Sequence, residues 1–286
     1  MNNFPKYVDL EFSARCNLAC GFCFGPADDR RSPDFPPAFW RGVIDGIALR
    51  GAHGIVVSGG EPTLYAGLHE LLSHARRSGL TTVLSTHGRH RARLETVVGA
   101  CNWIALPVDA RSSKMLLELR GDDWGLEQAV DTAIALKRLS PSLRIKLGTV
   151  ATRLNRHEIT RLADELLACP VGVFDTWKIY QYTPRRKFAS SRSVYEISDE
   201  QFAEIETSVR STAVVQRLNT VFSSRASRRR AYLFVYPDAT IAIPNESETF
   251  GDVILGNLAK EGVDALDKAG EFVLGSNAAN FEATYA

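Results

Sequence analysis

Short apolar runs alternate with stretches whose apolar residues recur every three to four positions, and the alternation repeats six times before the pattern changes. The runs at 7–12, 55–58, 82–85, 104–108, 144–150 and 176–180 read as strands. The stretches at 38–50, 68–77, 91–98, 124–139, 158–168 and 199–210 read as helices, the first opened by Pro36-Pro37. Strand–helix alternation of this kind buries both faces of a parallel sheet, so it predicts an α/β fold with helices wrapped around the strands. In the first strand Val8, Leu10 and Phe12 fall on one side.

Beyond residue 210 the style changes. Runs at 232–235 and 240–243, joined by Pro237-Asp238-Ala239, predict an antiparallel hairpin. The basic run at 225–230 reads as a solvated loop. Residues 251–286 read as a tail of short helical pieces packing back on the barrel. The expected organisation is a barrel over 1–210 and a C-terminal appendage over 211–286, forming one structural unit.

Composition narrows the function. Apolar residues make up 45% and charged residues 23%, as in a folded globular chain. Lys and Arg total 34 against 33 Asp and Glu, which leaves +1 and no basic field for a nucleic acid polymer. No apolar run is long enough to span a bilayer, and the opening residues lack a signal-peptide pattern, so the expectation is a soluble, cytoplasmic protein. Five cysteines, an odd number, do not make a disulfide scaffold in a chain of this length.

Three of those cysteines follow the first strand in the order Cys16-Asn17-Leu18-Ala19-Cys20-Gly21-Phe22-Cys23. Chemistry in a parallel α/β barrel sits at the C-terminal ends of its strands, where this loop stands. A zinc site usually takes four protein ligands, and no nearby His or Cys completes one. An iron–sulfur cluster normally takes four thiolates. Three leave one iron open to an external ligand. Cys101 and Cys169 stand alone and read as packing residues. After the second strand comes Ser58-Gly59-Gly60-Glu61-Pro62, where glycines let backbone approach a ligand and Glu61 can pair with an amine. Thr86-His87-Gly88 and Asn155 follow later strands, each readable as a ligand contact or as a capped turn.

With both motifs in place, the chain resembles the radical S-adenosylmethionine (SAM) superfamily. C-x3-C-x2-C with an aromatic Phe22 before the third cysteine is that superfamily's signature, and six βα units match its barrel. The resemblance implies a partial (βα)6 radical SAM barrel with a small C-terminal appendage. It implies a [4Fe-4S] cluster on Cys16, Cys20 and Cys23, with SAM on the open iron. Phe22, Gly59, Gly60, Glu61, Thr86 and Asn155 are then the cofactor-binding candidates, Glu61 for the methionyl ammonium. One electron, expected from a flavodoxin- or ferredoxin-type donor, cleaves SAM to methionine and a 5′-deoxyadenosyl radical, which takes a hydrogen atom from the substrate.

Within the superfamily the chain is similar to the viperin family of nucleotide-modifying enzymes. The likeness runs through Leu119-Arg120-Gly121, Lys146, Arg153-Leu154-Asn155, Trp177-Lys178-Ile179-Tyr180-Gln181 and 232–245. It implies substrate contacts from Arg120, Lys146 and Lys178, which would grip an anionic group. Three positions depart. Asp9 stands for an asparagine, Gly54 for a lysine and Thr176 for an arginine, so two cations are lost and an anion is gained. Asp9 is expected to meet a hydroxyl or amino group. The run at 185–187 reads equally as a partial replacement for that grip or as an exposed basic loop. The closing residues, 275–286, carry no cation and read as flexible.

The expected substrate is therefore a nucleotide, nucleoside or related sugar, less phosphorylated than a triphosphate, in a reaction of dehydration, dehydrogenation or decarboxylation type. A nucleoside triphosphate dehydratase making 3′-deoxy-3′,4′-didehydro nucleotides is one alternative. A maturase that modifies a peptide or protein is the other, against which stands the lack of any cysteine after Cys169.

Overall fold

Strand β1 (Tyr7–Glu11) sorts its residues onto two faces. Val8 and Leu10 are fully buried in the main core, while Asp9 and Glu11 line an interior chamber. The computed structural model describes residues 4–25, 34–184, 191–228, 231–244, 251–271 and 284–285. It repeats this division in β2 (Gly54–Ser58), β3 (Thr81–Ser85), β4 (Trp103–Pro107), β5 (Arg144–Ala151), β6 (Thr176–Gln181) and β7 (Asn219–Ser223). These seven strands are parallel, each paired with its successor.

Helices cover the outer face: α1 (Pro37–Leu49), α2 (Leu68–Arg77), α3 (Arg91–Val97), α5 (Leu126–Leu139), α6 (Ile159–Ala168) and α8 (Asp199–Arg210), while α4 (Ser113–Arg120) and α7 (Arg192–Tyr195) pack with Phe22 and Tyr182 beside the chamber. Helix α1 shows why they form. Proline occupies its first turn, where no N–H partner is lost, and Trp40, Val43, Ile44 and Ile47 make one buried stripe. Each such side chain contributes about 1.5–3 kcal/mol by leaving water. Trp40 meets Phe12 with ring centroids 5.1 Å apart. Helix α4 was not anticipated. Its signals are local: Ser112 accepts a hydrogen bond from Met115 N, and Gly121, at φ 67°, ends the helix.

The expected hairpin is present as β8 (Phe234–Val235) and β9 (Thr240–Pro244), antiparallel to each other. The remainder corrects the sequence reading. Residues 252–257 are not helical but form β10 (Asp252–Asn257), antiparallel to β9. The basic run is not a solvated loop where it is described: Arg225–Arg228 is a short helix, and Arg228 is buried. Strand β8 runs parallel to β1, so the sheet has ten strands in the order β10-β9-β8-β1-β2-β3-β4-β5-β6-β7. The division at residue 210 thus falls within one continuous sheet, since later strands extend both of its edges. The basic run at 185–187 and positions 275–283 and 286 lie outside the described residues. Among the described residues no helix is long and apolar enough to cross a membrane.

Candidate active site

The cysteine loop leaves the C-terminal end of β1 and turns tightly, with Cys23 N donating to Cys20 O at 3.2 Å. Backbone N–H groups reach two of the sulfurs: Leu18 N donates to Cys16 Sγ at 3.4 Å and Gly25 N to Cys23 Sγ at 3.3 Å. Cys20 and Cys23 line the chamber beside Phe22, whose ring meets Tyr195 edge-on. Burial raises all three thiol pKa values, that of Cys20 to about 12, so these sulfurs carry protons until a metal displaces them. Among the described residues no three or more His, Cys, Asp or Glu side chains form a site for a single metal ion.

Arg120 adds a second fitting feature. Its Nη1 pairs with Asp109 at 2.7 Å, while its Nε is buried with no partner among the described residues. Its guanidinium is close enough to Cys20 to act on that thiol electrostatically, and the orphaned Nε can donate to an anionic group.

The Gly-Gly-Glu turn packs against the cysteine loop. Gly59 has φ 112°, and a Cβ there would lie 2.7 Å from Ser13 O; at Gly60 a Cβ would lie 2.1 Å from Arg15 O. The glycines let the turn after β2 press against the loop that carries the cysteines. Two hydrogen bonds clasp them, Gly60 N to Ser13 O at 3.0 Å and Glu61 N to Arg15 O at 2.7 Å. Glu61 is buried, and its carboxylate accepts from Thr63 N at 3.1 Å, Thr63 Oγ1 at 2.7 Å, Thr86 Oγ1 at 2.7 Å and His87 N at 2.9 Å. His87 in turn holds Asn17 of the cysteine loop through Nε2 at 2.9 Å. Glu61 and Thr86 therefore join the loops after β1, β2 and β3 into one knot around the cofactor position.

Asn155 takes the second of its two sequence readings. It is fully buried; its Oδ1 accepts from Thr152 N and Oγ1, and its Nδ2 donates to Asp109 O and Val150 O. Those bonds use both donors and both acceptor sites of the amide, so this side chain shapes the turn and has none left for an adenosyl group.

The substrate candidates divide into two groups. Arg120 stands with Asp109 by the cysteines. Lys146 and Lys178 instead meet around Tyr180, their Nζ atoms 5.9 and 5.2 Å from its ring centre. A third cation, Arg228, lies 6.0 Å from the same ring. It is held by Gln181 O at 2.6 Å and by Thr183 and Ser223. Burial, then the neighbouring Lys146 and Arg228, lowers the Lys178 pKa well below its ordinary value. On β1, Asp9 accepts a hydrogen bond from Ser58 Oγ, and buried Glu11 faces the chamber two residues on. Sequence reading missed Glu11 and Arg228; the alternation that sends Val8 and Leu10 outward already sends Glu11 inward with Asp9. At Gly54 a Cβ would lie 2.6 Å from both Tyr7 Cε1 and Thr81 O, so no lysine fits there as the chain stands. The chamber lined by Asp9, Glu11, Arg120, Lys146, Tyr180 and Arg228 has a volume of about 340 Å³, within the range of small-molecule sites.

The chain is similar to known proteins. The chain is 26% identical over 200 residues to an S-adenosylmethionine-dependent nucleotide dehydratase of Flammeovirga pacifica, covering 65% of each chain, so the match spans less than two thirds of that relative. It is 40% identical over 85 residues to PqqA peptide cyclase of Xanthomonas oryzae pv. oryzae, which is 29% of this chain and 23% of that one. Among solved structures, Streptococcus suis SuiB bound to S-adenosylmethionine shares the fold, with a TM-score of 0.74 at 17% identity, over 95% of this chain and 67% of that one. The model of the Radical SAM superfamily matches residues 10–166. Since that match takes in more than half of the chain, with the cysteine triplet and the Gly-Gly-Glu turn inside it, the chain belongs to the radical SAM superfamily, whose members use a [4Fe-4S] cluster and SAM.

Proposed function

We propose that this enzyme takes a hydrogen atom from the sugar ring of a nucleotide, nucleoside or related small molecule. The observation that carries the reading is the split polarity of the chamber, with Asp9 and Glu11 from β1 in the same cavity as Lys146 and Arg228. Carboxylates accept hydrogen bonds from ring hydroxyls and amino groups, and cations meet an anionic or electron-rich end. A polyol or nucleoside with at most a modest anionic group satisfies both walls. The similarity to a nucleotide dehydratase supports the same class.

Cys16, Cys20 and Cys23 would hold the cluster, which together with SAM would supply the hydrogen-abstracting chemistry. The chain's own part is placement. The knot of Gly59, Gly60, Glu61, Thr86 and His87 fixes the cysteine loop. Phe22, backed by Tyr195, walls the chamber, and Asp9 orients a hydroxyl of the substrate. The outcome fits dehydration, dehydrogenation or decarboxylation, and a small flavodoxin- or ferredoxin-type protein supplies the electron.

A second reading, modification of a peptide, is favoured by the 85-residue similarity to a peptide cyclase. Anaerobic reconstitution with SAM and a panel of nucleosides, nucleotides, sugars and short peptides separates the two. Substrate-dependent 5′-deoxyadenosine formation with the sugar-bearing compounds supports the first reading. Dependence on peptides alone replaces it with the second.

A further inference from the structure

The two lysines expected to face substrate are already engaged, and by a segment far from them in sequence. Lys146 Nζ donates to Tyr285 Oη at 2.7 Å and stands 4.9 Å from the centre of that ring. Lys178 Nζ donates to Thr284 Oγ1 at 3.1 Å, and Thr176 Oγ1 reaches Thr284 O at 3.5 Å. The Tyr285 ring lies 5.5 Å from Tyr7 and 5.5 Å from Trp103, on a bed of Val56 and Val83. Tyr7 and Trp103 are the first residues of β1 and β4, so the ring plugs the end of the barrel opposite the cysteines. Thr284 is fully buried, Tyr285 nearly so, and Tyr285 lines the chamber.

We propose that Thr284 and Tyr285 are the specificity-determining floor of the chamber, limiting its depth and capping Lys146 and Lys178 with neutral hydroxyls. The inference rests on the small-molecule reading above and deepens it. An aromatic side chain of this size buries roughly 150–250 Å². A polyphosphate reaching for both lysines has to displace that ring and break both hydroxyl contacts. A nucleoside or a lightly charged sugar ends above the floor and leaves it seated. The segment therefore selects against long anionic substrates by filling the volume they need, with no repulsive charge required.

Binding of inorganic tripolyphosphate, measured by calorimetry without SAM turnover, tests this directly. The wild-type protein is expected to bind it weakly. Tyr285→Ala is expected to bind it at least tenfold more tightly, and adding Lys146→Met to that variant is expected to cancel the gain. Tyr285→Phe combined with Thr284→Val keeps the ring and its packing while removing both hydroxyl caps, and is expected to give a smaller gain of several-fold. Melting temperature and SAM binding identify the folded variants. Unchanged tripolyphosphate affinity in Tyr285→Ala and in the double variant overturns the proposal, and the double variant alone decides it if Tyr285→Ala fails to fold. Because no turnover is read, failure of the nucleoside assignment leaves this test intact, and failure here leaves that assignment standing.

Discussion

Replacing Gly60 with alanine probes the join between the two motifs, and the structure sets the size of the effect. The new Cβ would lie 2.1 Å from Arg15 O, 2.5 Å from Arg15 C and 2.7 Å from Ala14 C. All three are backbone atoms, so no side chain can swing aside. The loop has to retreat by about 1 Å to restore an ordinary contact. That displacement stretches the Gly60 N–Ser13 O and Glu61 N–Arg15 O bonds, now 3.0 and 2.7 Å. Two hydrogen bonds at about 0.5–1.5 kcal/mol each put the loss near 1–3 kcal/mol. At roughly 2–4 °C per kcal/mol in a chain of this size, the melting temperature should fall by about 2–12 °C. Arg15 precedes Cys16 directly, so the shift is passed to a proposed cluster ligand, and iron content and 5′-deoxyadenosine formation should fall with it. Gly42→Ala is the control. It sits in α1 with no atom within 4 Å of the new Cβ, and it should stabilise the helix by about 0.5–1 kcal/mol with no effect on iron. A Gly60→Ala protein with wild-type melting, iron content and SAM cleavage would refute the reasoning.

Alanine at Cys16, Cys20 or Cys23 should abolish iron binding and SAM cleavage, while alanine at Cys101 or Cys169 should abolish neither; iron and sulfide assays decide. Glu61→Gln should lower the melting temperature even without SAM, by the equivalent of about 1–3 kcal/mol, because the amide turns a donor toward one of its four donors. Unchanged melting would return Glu61 to a purely ligand-binding role. Burial lowers the His87 pKa below its ordinary 6.5, against the pull of Glu61, and its Nδ1 already accepts from Arg89 N. A depressed folded pKa gives stability that is present above 6.5 and lost as pH falls through the folded value. Melting of the metal-free protein should therefore decline below pH 6.5, and His87→Gln should flatten that decline; parallel curves would show that other groups cause it.

The parallel array and the cysteine loop were legible because their signals are local. Six strand–helix alternations state a wound sheet, and three cysteines at close spacing mark the loop after its first strand. The function of the Gly-Gly-Glu turn was legible only in part. Glycines permit close approach, but sequence does not say whether ligand or backbone comes close, and here Arg15 O occupies that place. Strand β7 has a mixed sequence, Asn-Thr-Val-Phe-Ser, in which neither period stands out. Arg228 looked solvated because its neighbours are basic, while its burial depends on Gln181 and Thr183, 47 and 45 positions away. The contacts of Tyr285 with Lys146 and of Thr284 with Lys178 span 139 and 106 positions. No local pattern announces contacts at that distance.

The central claim is that the radical formed here takes hydrogen from a sugar-bearing small molecule. Anaerobic turnover with nucleosides and nucleotides fully deuterated in the sugar, followed by mass analysis of 5′-deoxyadenosine, measures this in one step. The account predicts that 5′-deoxyadenosine gains one deuterium from at least one such compound, with no 5′-deoxyadenosine formed by Cys20→Ala. Deuterium arriving only from labelled peptides, with none from any labelled sugar, would contradict it.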